Sequence, residues 1–246
     1  MKVVLLGTGG YYPTKRRHTA CLMLPEVGVV LDAGSGMCRV GHYLETDRLD
    51  VFLSHAHLDH VAGLTYLVNL VPDEILRRTT VHGEAAKLEA VREHLFAESI
   101  FPVRPPFRFA PLVESCALPG GGMLRAFALK HPGGSLGFRL DWPGRSLAYI
   151  TDTTAAANAD YRENIRGVDL LVHEAYFASE AEDLPTLTGH SALPAVAELA
   201  AAAEVARLVL VHIDPLAEDD SVYDLSSARR VFGQTEMGFD KMVLEI

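Results

Sequence analysis

The chain has 246 residues, 49% of them hydrophobic, and carries a formal net charge of −10. That length suits one large α/β domain or two small ones, with enough apolar residues for a sizeable core. The acidic balance excludes a broad nucleic-acid surface, which would be basic, and no apolar run approaches the roughly 18 residues that cross a bilayer. The N-terminal run Met1 to Gly7 is too short and strand-like for a signal peptide. Cys21, Cys38 and Cys116 are odd in number and lack C-x-x-C spacing. They read as reduced core residues of a cytoplasmic protein.

Strand-like apolar runs recur along the chain. They cover Val3 to Leu6, Ala20 to Leu24, Val27 to Leu31, Asp50 to Leu53 and Thr79 to His82. They continue with Leu124 to Lys130, Leu136 to Leu140, Ser146 to Ile150, Val168 to Val172, Leu208 to Val211 and Met242 to Glu245. Helical periodicity falls at Val61 to Val71, Ala85 to Leu95, Ala192 to Glu204 and Val222 to Phe232. Ser191 and Ser221 are expected N-caps of the last two, and Pro194 fits only a first turn. The first third reads as hairpins and the last third alternates strand and helix. Many strands with few long helices favour two packed sheets with helices outside, a single parallel sheet being the alternative. No linker or low-complexity segment divides the chain, so a single domain over 1–246 is expected.

The densest chemical signal is Ser54-His55-Ala56-His57-Leu58-Asp59-His60, directly after the apolar run Val51 to Leu53. Histidine is the commonest metal ligand, and carboxylates complete such sites. Residues two apart on an extended segment point the same way, so His55 and His57 reach one metal. Asp59 and His60 lie where the helical pattern begins and can turn toward a second. More candidate groups end apolar runs: Asp32 after Leu31, His131 after Lys130, Asp152 after Thr151, His173 and Glu174 after Val172, and His212 after Val211. Strands fix such groups while the following loops leave room for substrate.

The order Asp32, His55-x-His57-x-Asp59-His60, His131, Asp152, His212 resembles the metallo-β-lactamase superfamily, and within it ribonuclease Z and its phosphodiesterase relatives. The likeness extends to Leu6-Gly7-Thr8-Gly9-Gly10 with Pro13-Thr14-Lys15-x-Arg17, and to His131 followed by Leu136 to Leu140. His173-Glu174-Ala175-Tyr176-Phe177 is similar to the family's His-Glu-Ala-Thr motif, and Thr188-Gly189-His190-Ser191 to its His-Ser-Thr motif. The resemblance implies a four-layer αβ/βα sandwich of two mixed sheets with external helices. It implies that His55, His57 and His131 hold one zinc, that Asp59, His60 and His212 hold another, and that Asp152 bridges them. Asp32 would orient the histidine loop from behind. Histidine at position 57, where diiron relatives carry glutamate, favours zinc, with manganese and iron as alternatives.

Two such metals lower the pKa of a shared water toward neutrality. A departing alkoxide still needs a proton, for which His190 is the candidate, oriented by Glu174. Lys15, Arg17 and Arg139 are expected to contact a phosphate. Only 20 residues separate His131 from Asp152, which leaves no room for the tRNA-gripping arm usual in that family. The expected function is therefore hydrolysis of small phosphodiesters or RNA 3′ ends by a protein without an extended nucleic-acid surface and without a membrane partner. An ester, lactone or thioester hydrolase is the alternative enzyme, and an idle metal-binding sensor the alternative of another class. A homodimer is the expected assembly by resemblance.

Overall fold

The computed structural model describes residues 1–179 and 184–246. The chain divides into two compact units, Met1–Val113 with Asp240–Glu245, and Glu114–Phe239 with Ile246.

The first unit is built on a seven-stranded mixed sheet. Its strands are β1 (Lys2–Gly7), β2 (Cys21–Leu24), β3 (Val29–Leu31), β4 (Leu49–Phe52), β5 (Thr79–Gly83), β6 (Arg108–Pro111) and the last strand of the chain, β14 (Met242–Glu245). The order is β14-β1-β2-β3-β4-β5-β6. Pairing is antiparallel from β14 to β3 and parallel from β3 to β6. Strands β2, β3 and β4 are buried on both faces, which is why they read as unbroken apolar runs. One face packs Val4, Met23, Val30 and Val51 against Leu64 and Leu67 of the segment that follows the histidine motif.

The second unit has its own seven-stranded mixed sheet, ordered β13-β12-β11-β10-β9-β8-β7. Its strands are β7 (Ser115–Leu118), β8 (Gly122–Leu129), β9 (Ser135–Trp142), β10 (Arg145–Ile150), β11 (Leu170–Glu174), β12 (Leu208–Val211) and β13 (Thr235–Met237). Strands β7 to β10 form antiparallel hairpins, and β10 to β13 run parallel. The helix Leu193–Ala202 buries Val196 and Leu199 in a core with Ile150, Leu171 and Leu208. Parallel strands need crossovers, and these carry the polar loops at the carboxyl ends of β3, β4, β10, β11 and β12, where the candidate residues sit.

Every apolar run expected as a strand forms one. The three strands that sequence patterning misses, β6, β7 and β13, all lie at sheet edges. The first two are largely exposed, so they carry no continuous apolar signal. The expected helix Val61 to Val71 is broken into helical turns at Leu58–Val61 and Leu67–Leu70 with a 3-10 stretch between them. Gly63 explains the break, because its amide donates to the Ala33 carbonyl at 2.7 Å instead of continuing the helix. A Cβ there would lie 2.2 Å from the Gly34 carbonyl oxygen. The expected caps also differ. Ser191 spends its hydroxyl on the Thr153 carbonyl, and Ala192 precedes the helix without a side-chain cap. Asp224, not Ser221, caps the helix Leu225–Val231 by accepting from the Ser227 amide. Pro194 lies in the first turn, as expected. Among the described residues the three cysteines form no disulfide, and Cys21 is buried while Cys38 and Cys116 are half-buried. Among the described residues, no helix is long and apolar enough to cross a membrane.

Candidate metal centre and catalytic histidine

In the first unit the site is organised by one carboxylate. Asp32 follows β3 with a φ of 58°, in the left-handed region that costs an L-residue about 1 kcal/mol. It is fully buried. Its Oδ1 accepts the Ser54 amide at 2.7 Å, and its Oδ2 accepts the Ser54 hydroxyl at 2.8 Å and His60 Nδ1 at 2.9 Å. The Ser54 hydroxyl, its proton given to Asp32, accepts His55 Nδ1–H at 3.0 Å. A carboxylate only accepts, so these bonds place the proton of both imidazoles on Nδ1 and make Nε2 the nitrogen that could coordinate a metal. The His55 ring centroid lies 4.4 Å from that of His57 and 4.2 Å from that of His60. Asp59 Oδ2 lies 3.3 Å from His60 Nε2 and accepts the Tyr11 amide at 2.9 Å. Gly34 permits this folding, since a Cβ on it would stand 2.1 Å from the Asp59 carbonyl oxygen.

In the second unit Asp152 and His212 follow β10 and β12, also at positive φ, 46° and 55°. Backbone strain thus coincides with candidate site residues three times, a pattern typical of functional positions. Asp152 turns one oxygen toward each of two imidazoles: Oδ2 lies 3.6 Å from His131 Nε2, and Oδ1 lies 3.3 Å from His212 Nε2. His131 Nδ1 donates to the Gly189 carbonyl at 2.9 Å, which again makes Nε2 the nitrogen that could coordinate a metal. Gly189 has a φ of 74°, and a Cβ on it would lie 2.5 Å from the Pro132 ring and 3.0 Å from His131 Nδ1. Burial pushes the His131 imidazole below its usual range, toward the neutral form that binds metal.

His190 stands beside this carboxylate. Its Nδ1 donates to Glu174 Oε1 at 3.1 Å. Glu174 is fully buried and also accepts the Thr153 amide at 2.8 Å and the Ser191 amide at 3.2 Å. The His190 ring stacks on Tyr176 at 4.8 Å and 21° and on His212 at 5.3 Å and 23°. Potential ligand atoms of Asp152, His190 and His212 lie within 4.8 Å of one another, so this trio itself has a metal-holding spacing. Sequence reasoning did not single out Tyr176 or Ser54. Their signal was position: each adjoins a motif residue, and only the fold shows what it touches.

Two of the expected phosphate contacts also bond within the protein. Arg17 is buried and its Nη1 donates to Thr8 Oγ1 at 2.6 Å. Arg139 Nε donates to Asp141 at 3.0 Å, and its Nη1 to the Asn164 and Arg166 carbonyls at 3.1 and 2.9 Å. The Arg139 guanidinium thereby ties β9 to the segment Asn164 to Arg166, and Arg17 bonds within its own loop. Sequence could not anticipate this, because arginine donors satisfy carbonyls as readily as phosphate. Lys15 is exposed.

A model of the beta-lactamase superfamily domain matches residues 29–213. The chain belongs to that superfamily. It is similar to the ribonuclease Z of Methanosarcina acetivorans, at 25% identity over 100% of this chain and 98% of that one. Among solved structures it resembles the metallo-beta-lactamase fold protein YhfI from Bacillus subtilis, with a TM-score of 0.81, 19% identity and 99% of each chain covered. It also resembles Zn(2+)-bound PqqB from Methylobacterium extorquens, with a TM-score of 0.76, 18% identity and 100% of each chain covered. The α/β architecture of two mixed sheets with helices is the metallo-β-lactamase fold.

His173 precedes Glu174 and is fully buried. Its Nδ1 donates to the Glu174 carbonyl at 2.7 Å, so its Nε2 accepts the Tyr161 hydroxyl at 2.8 Å. Burial holds this imidazole below its ordinary value of 6.5. Protonation therefore favours the unfolded chain. The stability this group contributes is present above pH 6.5 and is lost as pH falls below that value toward the lower folded one. In His173→Asn, which keeps a donor near the carbonyl, the acid-side slope of unfolding free energy should shrink by up to about 1.4 kcal/mol per pH unit. Urea titrations between pH 7.5 and about 5 measure the slope; an unchanged one would show that His173 does not titrate on unfolding.

Proposed function

We propose that the protein is a metal-dependent phosphodiesterase of the ribonuclease Z-like kind, acting on small phosphodiesters or RNA 3′ ends. The observation that carries this reading is Asp152, whose two oxygens face two different imidazoles beside a His190–Glu174 pair. A carboxylate so placed suits a bridge between two cations, and a histidine backed by a buried carboxylate suits proton delivery to a leaving oxygen. The similarity to ribonuclease Z over the full chain supports the same reading.

As the resemblance implies, His55, His57 and His131 would hold one ion, Asp59, His60 and His212 would hold another, and Asp152 would be a ligand to both. The donor set fits zinc: imidazole nitrogens and carboxylate oxygens, with the Nδ1 bonds of His55, His60 and His131 leaving Nε2 as their donor atom. When bound, such a pair supplies an activated water and stabilises charge on the attacked phosphorus. The chain's own residues do the rest. Asp32 fixes the histidine loop, Glu174 holds His190 with Nε2 directed away from the carboxylate, and Tyr176 keeps its ring in plane. Lys15 remains the candidate phosphate contact on the exposed N-terminal loop.

Turnover of bis(p-nitrophenyl) phosphate against a p-nitrophenyl carboxylic ester, with zinc and after chelation, tests the assignment. The expected result is faster diester cleavage that disappears on chelation and returns with zinc. Faster ester cleavage would assign the protein to carboxylic ester, lactone or thioester hydrolysis instead. Metal content far below two ions per chain in protein purified without chelator would remove the two-metal reading.

A further inference from the structure

The loop Gly9 to His18 is clamped at its base. Asp240 accepts the Thr8 amide at 3.0 Å, the Thr8 hydroxyl at 2.7 Å, the His18 amide at 2.7 Å and Arg39 Nη1 at 2.6 Å. Across the stem, the Gly9 amide donates to the His18 carbonyl and the Thr14 amide to the Arg17 carbonyl, each at 2.8 Å. This rigid stem holds up two tyrosines. Tyr11 is 73% exposed and Tyr12 41% exposed, with rings edge to face at a centroid distance of 5.9 Å. Tyr11 has a φ of 59°, an uncommon conformation for a bulky L-residue. Its amide is bonded to Asp59 Oδ2 at 2.9 Å, which ties the tyrosine-bearing backbone to the candidate metal loop. Leu58, the sequence neighbour of Asp59, is 71% exposed. Lys15 and Arg16 follow on the same loop and are exposed.

Core packing does not account for these rings, which face solvent on a strained and braced segment. Aromatic faces next to a phosphate-cleaving centre, followed by exposed cations, match the needs of a nucleotide with an unpaired base. The base stacks on the ring and the cations meet the backbone. We propose that Tyr11 and Tyr12 form a base-stacking platform for the nucleoside adjoining the scissile phosphodiester. The proposal rests on the phosphodiesterase reading and narrows its substrate class to nucleotidyl diesters with an unstacked base.

The test compares thymidine 5′-(p-nitrophenyl) phosphate with methyl p-nitrophenyl phosphate, which share a leaving group and differ in carrying a nucleoside or a methyl group. Zinc-loaded wild type should favour the thymidine ester. Tyr11→Asn removes the ring while tolerating the left-handed backbone. It should lower the thymidine-to-methyl ratio of kcat/KM by about 5- to 150-fold, and Tyr11→Phe should retain the ratio. Equal losses on both esters would show that Tyr11 only positions Asp59, and would overturn the platform. A ratio unchanged in Tyr11→Asn would overturn it as well, including the case where the variant instead abolishes self-association in sedimentation. Thymidine monophosphate titrated into labelled protein separates this inference from the functional reading. Shifted Tyr11 and Tyr12 ring signals without cleavage of either ester would support the platform and remove the phosphodiesterase. Cleavage of both esters with unmoved ring signals would do the reverse.

Discussion

Replacing His190 by alanine lowers kcat for an alkyl phosphodiester by about 100- to 10,000-fold, the range of a lost general acid, while bound metal stays at the wild-type level. The expectation follows from how the ring is held. Its Nδ1 is committed to Glu174, a buried carboxylate that the Thr153, Tyr176 and Ser191 amides also grip, and Tyr176 and His212 flank its faces. The imidazole is therefore fixed with Nε2 as the one nitrogen able to exchange a proton with substrate. A leaving alkoxide needs that proton, whereas p-nitrophenolate is stable without it. The same variant should thus lose far less activity toward bis(p-nitrophenyl) phosphate than toward the alkyl diester. Metal analysis decides between this role and the alternative that the spacing of Asp152, His190 and His212 allows. Loss of an ion in His190→Ala would make His190 a ligand and not an acid. Equal losses on both leaving groups would remove it from proton transfer.

The second large effect is expected at Asp32. Asp32→Ala removes the acceptor for the Ser54 amide, the Ser54 hydroxyl and His60 Nδ1 together, all in a buried setting. Each buried donor left unsatisfied costs about 1–3 kcal/mol, so the unfolding free energy should fall by at least about 3 kcal/mol. Alanine is also strained at a φ of 58°. The tautomers of His55 and His60 lose their anchor at the same time, and metal affinity should drop about 10- to 100-fold. Asp32→Asn tolerates the left-handed backbone and keeps one acceptor oxygen, so it should retain more stability than alanine while still weakening metal. Urea unfolding of metal-free protein and competition with a chromogenic chelator measure the two effects. Wild-type metal affinity in both variants would show that Asp32 supports the fold alone.

The interior strands were legible because burial on both faces demands unbroken apolar runs. Val29 to Leu31, Val51 to Leu53 and Leu208 to Val211 show this plainly. Edge strands were not, because Arg108 to Pro111 and Ser115 to Leu118 take their conformation from one hydrogen-bonded neighbour and bury little. Helix length was overread at Gly63, where a bond to Ala33 outcompetes the local helical pattern. Local preference is weak beside a tertiary hydrogen bond.

The residue types and spacing of the candidate centre could be read along the chain, since ligand chemistry restricts a position to few side chains. His55, His57, Asp59, His60, His131, Asp152 and His212 all stood out that way. Their orientation belongs to the folded state. The left-handed turns at Asp32, Asp152 and His212, the tautomers set by Asp32 and the Gly189 carbonyl, and the stacking of Tyr176 on His190 join residues far apart in sequence. Arginine carries the same lesson in reverse. Arg17 and Arg139 have the chemistry to meet a phosphate, but a guanidinium goes to whichever acceptors the fold brings within reach. Here those acceptors are Thr8, Asp141 and two backbone carbonyls.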